Sequence, residues 1–164
     1  MDHNLLYHRI YALFESVSPL RFDCGRLCGS ACCQPDPELP GMYLFPGEEA
    51  LFTGRSGFKI TETDLAGYGP VPLLSCKGNC ERAMRPLSCR VFPLAPKLES
   101  GIVSVRPDPR GRACCPLCRQ GLGSLSSEFK NAVLDVFQLL AENPSTQEFI
   151  LALSKHLDEF DQEL

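Results

Sequence analysis

The chain has 164 residues, the size of one domain, and its 16 basic and 20 acidic residues leave a formal charge of -4. With a pI near 5.4 it lacks the globally basic surface that counterion release from a nucleic-acid backbone needs, so no nucleic-acid partner is expected. Hydrophobic residues make up 44% of the chain, but ten of them are cysteines, which leaves about 38% ordinary core-formers and a modest core.

The longest apolar runs, about five residues, fall far short of the roughly 20 needed to cross a bilayer, so no membrane association is expected. The amino end, Met1-Asp-His-Asn-Leu-Leu-Tyr-His-Arg9, lacks both the cationic start and the unbroken apolar core of a secretory signal, and the chain reads as cytoplasmic. Reducing compartments keep thiols from pairing. Ten cysteines there point to metal ligation or redox chemistry before a disulfide framework.

Taken in chain order, Leu6, Ile10, Leu13, Phe14 and Val17 recur at helical spacing behind Asp2, a good N-cap, and Pro19 ends the run; the spacing predicts a helix over 3–17. Between residues 19 and 123 lie thirteen of the 14 prolines, all 13 glycines and all ten cysteines. Such a density of helix breakers predicts turns and short strands, held by something other than regular structure. Strand signals there are brief: 42–45, 71–74 and 102–105, with 94–98 pairing 102–106 through a Glu99-Ser100-Gly101 turn and confined to an edge by Pro93 and Pro96. Glu48-Glu49, after Phe45-Pro46-Gly47, reads as a helix N-terminus. The cysteine-free excursion over 34–75 either packs on the helices or covers a site.

Phe129, Val133, Val136, Phe137 and Leu140 predict a helix over 126–142, stopped by Asn143-Pro144. A further helix starts at Ser145-Thr146-Gln147-Glu148, where Ser145 and Glu148 fit a capping box, and its closing acids, Asp158 to Glu163, read as a solvated, fraying end. The break makes these two helices an antiparallel pair. The expected fold is one α-rich α+β domain over 1–164: an N-terminal helix and a C-terminal helical hairpin, 126–162, packed on an irregular, cysteine-rich, metal-stapled centre, 20–120, with short strands.

The cysteines form three clusters: Cys24, Cys28, Cys32 and Cys33; Cys76, Cys80 and Cys89; and Cys114, Cys115 and Cys118. Thiolates two or three residues apart in a tight loop converge on one ion about 2.3 Å from each sulfur. A disulfide across so small a loop constrains the unfolded chain little, whereas a shared ion ties distant segments together. If each adjacent pair, Cys32/Cys33 and Cys114/Cys115, gives one ligand, eight thiolates remain for two four-thiolate sites. One site with spare thiols, or two ions sharing sulfurs, uses the same residues.

Charge placement agrees. Within four residues of a cysteine lie nine of the 16 basic residues, Arg21, Arg26, Lys77, Arg82, Arg85, Arg90, Arg110, Arg112 and Arg119, but three of the 20 acids. Four thiolates around a divalent ion carry net negative charge, which nearby cations offset. One structural zinc supplies roughly 10–16 kcal/mol, against the about 5–15 kcal/mol stability of a whole domain. The centre is therefore expected to need its metal.

Cys24 to Cys33, Cys76, Cys80 and the segment Arg85-Pro-Leu-Ser-Cys89-Arg-Val-Phe-Pro93 together resemble the YkgJ-type zinc- or iron-chelating proteins, whose signature is C-x2-C-x2-C-C. The first cluster here is C-x3-C-x3-C-C, one residue wider at each gap, and the third cluster lies outside the family pattern. The resemblance covers under half of the chain, about 21–93. It implies metal chelation, with zinc and an iron-sulfur cluster both admissible.

Four thiolates suit either centre. The C-x2-C-x2-C run of bacterial ferredoxins and the C-x4-C-x2-C plant pattern are both absent, which favours Zn2+ over an iron-sulfur cluster. A catalytic zinc keeps a water beside His or carboxylate ligands, and His3, His8 and His156 all fall on the terminal helices. They read as solvated or partly buried helix residues. No nucleotide-binding glycine motif and no G-x-S-x-G nucleophile turn is present, so no catalytic residue is assigned. The expected function is metal binding by cysteine thiolates. An iron-sulfur redox protein, a metal carrier and a protein-interaction module stand as alternatives.

Overall fold

The computed structural model describes residues 3–34, 41–78 and 80–163, and it is a mixed helix-and-sheet, α+β structure. Helix α1 spans His3–Leu13 and buries Leu6, Tyr7 and Ile10. It ends four residues before the expected 17, because Ser18 precedes a proline and donates its hydroxyl to the Leu20 carbonyl at 2.5 Å, so local bonding draws the chain out of the helix. Phe14 and Val17 still reach the core from the turn. The expected cap Asp2 lies outside the described residues.

Strands β1 (Met42–Tyr43), β2 (Phe58–Leu65) and β3 (Gly69–Cys76) form an antiparallel sheet in the order β1-β3-β2. β1 is half as long as expected. β2 is absent from the expected strands, and with β3 it forms a hairpin of two eight-residue strands that puts Cys76 opposite Phe58. Dense proline does not prevent this, since Pro70 and Pro72 need only accept bonds where they sit. The excursion packs on the helices: Phe45 stacks on Phe137 and meets Phe149 at 4.9 Å, while Tyr68 meets Phe149 edge-on at 5.6 Å.

The short helices α2 (Gly25–Cys28) and α3 (Leu87–Val91) flank this sheet in sequence. Strands β4 (Leu94–Glu99) and β5 (Ile102–Pro107) make the expected hairpin, with Leu94 opposite Pro107 and Glu99 opposite Ile102. Ser100 and Gly101 turn it at φ 51° and 79°, a pair of left-handed residues whose twist suits a two-residue hairpin. A 3-10 turn over Pro109–Ala113 and helix α4 (Pro116–Gln120) follow.

Helices α5 (Ser127–Ala141) and α6 (Pro144–Glu163) pack against β5 and β4 respectively. Ser126 caps α5 by accepting the Phe129 N–H at 3.3 Å, and it donates to Ser18 at 3.1 Å, which ties α5 to the end of α1. The expected capping box at Ser145 is not formed. Asn143 Oδ1 instead accepts from the Ser145 N–H and hydroxyl at 3.0 and 2.9 Å, and Pro144 opens the helix, where its missing N–H is no loss. Nor does the acidic end fray. Arg106 binds Asp158 and reaches Asp161 at 2.9 Å, Arg112 reaches Asp161 at 2.5 Å, and the helix continues to Glu163.

One apolar core joins Leu6, Ile10 and Phe14 to Phe129, Phe137, Phe149 and Leu153, and takes in Leu87, Val91, Leu94, Leu98 and Leu117 from the cysteine-rich centre. Much of that centre is thus held by ordinary burial. The cysteine-bearing stretches 20–34 and, among its described residues, 75–85 differ, for neither has a buried side chain. No helix among the described residues is long and apolar enough to cross a membrane.

Candidate metal centre

Each cysteine cluster sits on a short, tightly turned element. Cys24 and Cys28 bracket one helical turn, four residues apart and so on one face. Gly29 and Ser30 then adopt left-handed conformations, φ 61° and 57°, and reverse the chain into a 3-10 turn that carries Cys32 and Cys33. Cys76 ends β3, and Cys80 follows across a turn with Gly78 at φ 85°. Cys89 lies within α3; Cys114 and Cys115 lead into α4, which carries Cys118. None of the ten cysteines is in a disulfide: Cys115 and Cys118 are buried, Cys32 and Cys76 exposed, and the rest lie between.

The fold gathers the three clusters. Cys24, Cys28, Cys32, Cys33 and Cys115 line one pocket of about 40 Å³, together with Asp23 and Arg85. Burial pushes the Cys24 thiol up, and neighbouring Cys115 and Cys28 add to it. Cys114 is raised in the same way, by burial and then by Cys115 and Cys28. On the other side, burial raises Cys89, with Cys80, Cys33 and Cys76 as its electrostatic neighbours, and Cys80 is raised by burial and by Cys76 and Cys33. Cys33 belongs to both groups. Its neighbour Cys32 feels it and also Cys24 and Cys28.

The Cys118 thiol donates to the Pro93 carbonyl and the Cys114 thiol to the Gly111 carbonyl, each at 3.7 Å. The adjacent Cys33 raises Cys32, and the approach of Cys115 and Cys118 lowers Cys115 in the thiolate direction and raises Cys118. Among the described residues, no group of three or more His, Cys, Asp or Glu side chains is placed so that it could hold a metal ion. The sulfurs are neighbours, not a formed coordination sphere.

Arg85 stands between the two groups of thiols. Its charge lowers Cys24, Cys80 and Cys89 against the larger effect of burial. Its Nε is buried with no hydrogen-bond partner among the described residues. An unpaired guanidinium N–H at a thiol-lined pocket is the environment that an anionic thiolate centre would satisfy. The donor chemistry, soft sulfurs beside an orphaned cation, is that of a thiolate centre, while the placement of the described side chains is not that of a coordination sphere. Of the nine basic residues near cysteines in sequence, Arg85 and Arg119 act on thiols; Arg110 is spent on Asp108, Arg112 on Asp161, and Arg90 on the Arg85 and Ala83 carbonyls.

The segment carrying Cys89 is fixed from several directions. Glu48, fully buried, accepts the Leu87 N–H at 2.6 Å and the Phe45 N–H at 3.0 Å, and it also accepts the Tyr11 hydroxyl. It opens the 3-10 helix Glu48–Leu51, the helix start expected there, and from that position it also caps α3 from 39 residues away. Burial lifts its carboxyl to about 7, against the hydrogen bonds that hold it down. Ser88 donates to the Tyr43 carbonyl at 2.5 Å, and the Arg90 guanidinium lies 4.0 Å from the Tyr11 ring centre. Sequence spacing found the cysteines, placed Arg85 in a motif and Glu48 at a helix start, but assigned neither the role it has here, because those roles depend on long-range partners. The histidines stay apart: His156 packs on Tyr43 at 6.3 Å, His3 borders Gly47, and His8 is exposed. No protein-family model, curated protein or solved structure matches this chain.

Proposed function

We propose that the protein binds metal through its cysteine thiolates, with zinc as the first choice of ion. The observation that carries the reading is the gathering of thiols from all three clusters, none of them in a disulfide, around Arg85, whose buried Nε has no hydrogen-bond partner among the described residues. The neighbourhoods support two groups of ligands: Cys76, Cys80 and Cys89 in one, and Cys24, Cys28, Cys32, Cys114, Cys115 and Cys118 in the other, with Cys33 beside both. Bound zinc would supply structural cross-linking between these segments. The chain's own residues do the rest: the Glu48 cap and the Ser88 bond hold Cys89 in place, Arg85 offsets thiolate charge, and Cys115 gives up its proton most readily.

A structural zinc would hold together a stretch that burial leaves weakly packed. Residues 20–34 carry four cysteines and no buried side chain, so apolar packing offers little against the entropy of ordering them. The resemblance of the Cys24-to-Pro93 motifs to the YkgJ-type chelating proteins points the same way. Exposure of Cys32 and Cys76 favours a second reading, a metal carrier, because a ligand at the surface is open to exchange.

Absorption spectroscopy of protein purified without air, followed by timed extraction with a weak chelator, tests these readings. A colourless protein that holds zinc supports the structural site. Rapid loss of zinc supports the carrier, and a coloured, oxygen-bleached centre supports iron-sulfur instead.

A further inference from the structure

On the far side of the segment that joins Cys80 to Cys89, an open cavity of about 470 Å³ lies between α1 and the 3-10 turn Arg82–Met84. This is within the size range of small-molecule sites. Its walls combine aromatic rings, Tyr11, Phe14 and Phe52, with three guanidinium groups, Arg55, Arg82 and Arg90. Glu15 is the one acid among the described residues that line it, with His8 beside it. None of the three arginines forms an ion pair with a carboxylate among the described residues.

These cations are held in place. Arg90 donates to the Arg85 and Ala83 carbonyls at 2.7 and 2.8 Å, Arg82 donates to the Val17 carbonyl, and Arg55 lies 3.2 Å from the Met84 sulfur with its guanidinium 5.9 Å from the Phe52 ring centre. Three like charges fixed around one cavity repel each other, and a bound anion would turn that repulsion into attraction. Each guanidinium presents five donors, more than these contacts use.

We propose that this cavity binds a small molecule in which a phosphate or carboxylate group is attached to a flat aromatic body. The anionic group sits among Arg55, Arg82 and Arg90, and the ring lies against Phe52 and Tyr11. The site is separate from the thiols, so it stands or falls independently of metal binding.

Isothermal titration calorimetry of the full, metal-loaded chain with phenyl phosphate, benzoate, phenol and inorganic phosphate tests this. Binding of phenyl phosphate or benzoate is expected, weakening with added salt, with phenol and inorganic phosphate each at least about tenfold weaker. Arg55→Met and Arg82→Met, both at exposed positions, should each weaken the aromatic anion by about tenfold, the worth of one charge-assisted hydrogen bond. Circular dichroism confirms that each variant is folded, and Arg55→Lys should retain part of the affinity. No binding of either aromatic anion, equal binding of inorganic phosphate, or affinities unchanged in both methionine variants would overturn the assignment.

Discussion

Glu48 accepts the backbone N–H of Leu87 at 2.6 Å, and through that bond a buried carboxyl in the sheet-bearing excursion positions the short helix that carries Cys89. Replacing Glu48 with Ala leaves the Leu87 and Phe45 N–H groups and the Tyr11 hydroxyl unsatisfied. Glu48→Ala should therefore lose about 3 kcal/mol or more of stability, read from urea denaturation. A loss under 1 kcal/mol would mean that the cap is incidental.

The same carboxyl makes stability depend on pH. Its folded value is raised from 4.5 to about 7, so the folded state holds a proton that the unfolded state has released between those limits. The stabilisation is full below about pH 4.5 and is lost as pH rises through about 7. Tyr11, Tyr7 and Arg90 face Glu48, and the tyrosines, both raised by burial, stay neutral across this window. Comparing wild type with Glu48→Gln between pH 5 and 8, the wild type should lose up to about 3 kcal/mol more than the variant. Parallel profiles would contradict this.

Gly111 tests the third cluster. A Cβ there would collide with the Cys118 sulfur and lie 2.7 Å from the Phe92 ring. Gly111→Ala should cost about 1–3 kcal/mol by overpacking and should lower metal content by displacing Cys118. Wild-type zinc content in a destabilised variant would remove Cys118 from the ligand set.

How much of this was legible in the sequence varies with the reach of the interaction. Helix α5 follows from a local apolar stripe and a serine cap, and the structure uses both. The start of α6 was misread because Asn143-Pro144 serves equally as a stop or as cap and first residue. β2 lies outside the expected strands although Ile60, Thr61 and Thr63 are β-branched and Gly67 marks its turn; of its eight residues Leu65 alone is buried, so it lacks a clean apolar alternation. Cysteine spacing pointed to clusters, while their grouping, and the sharing of Cys33, depends on tertiary packing. Nothing local distinguishes Glu48 from Glu49. Only the fold places one of them in the core.

Arg85→Met probes the cation between the thiol groups. It keeps much of the side-chain bulk and removes the charge, so a thiolate centre should hold its metal less tightly, by about tenfold or more in competition with a chelator. Unchanged retention would show that the orphaned Nε is unrelated to metal.

Metal removal should act unevenly. Residues 20–34, without a buried side chain, should become open to protease, while α5 and α6, with Phe129, Phe137 and Phe149 in the core, keep their helix signal. Equal protection of both regions after complete removal would mean that the loop is held by other contacts.

The most direct test is the metal-to-protein ratio of the intact chain, purified without air and measured by elemental analysis alongside native mass spectrometry. Zinc at roughly one to two ions per chain, with the thiols reduced, is the predicted result. A metal-free chain whose sulfurs are joined as disulfides would contradict it.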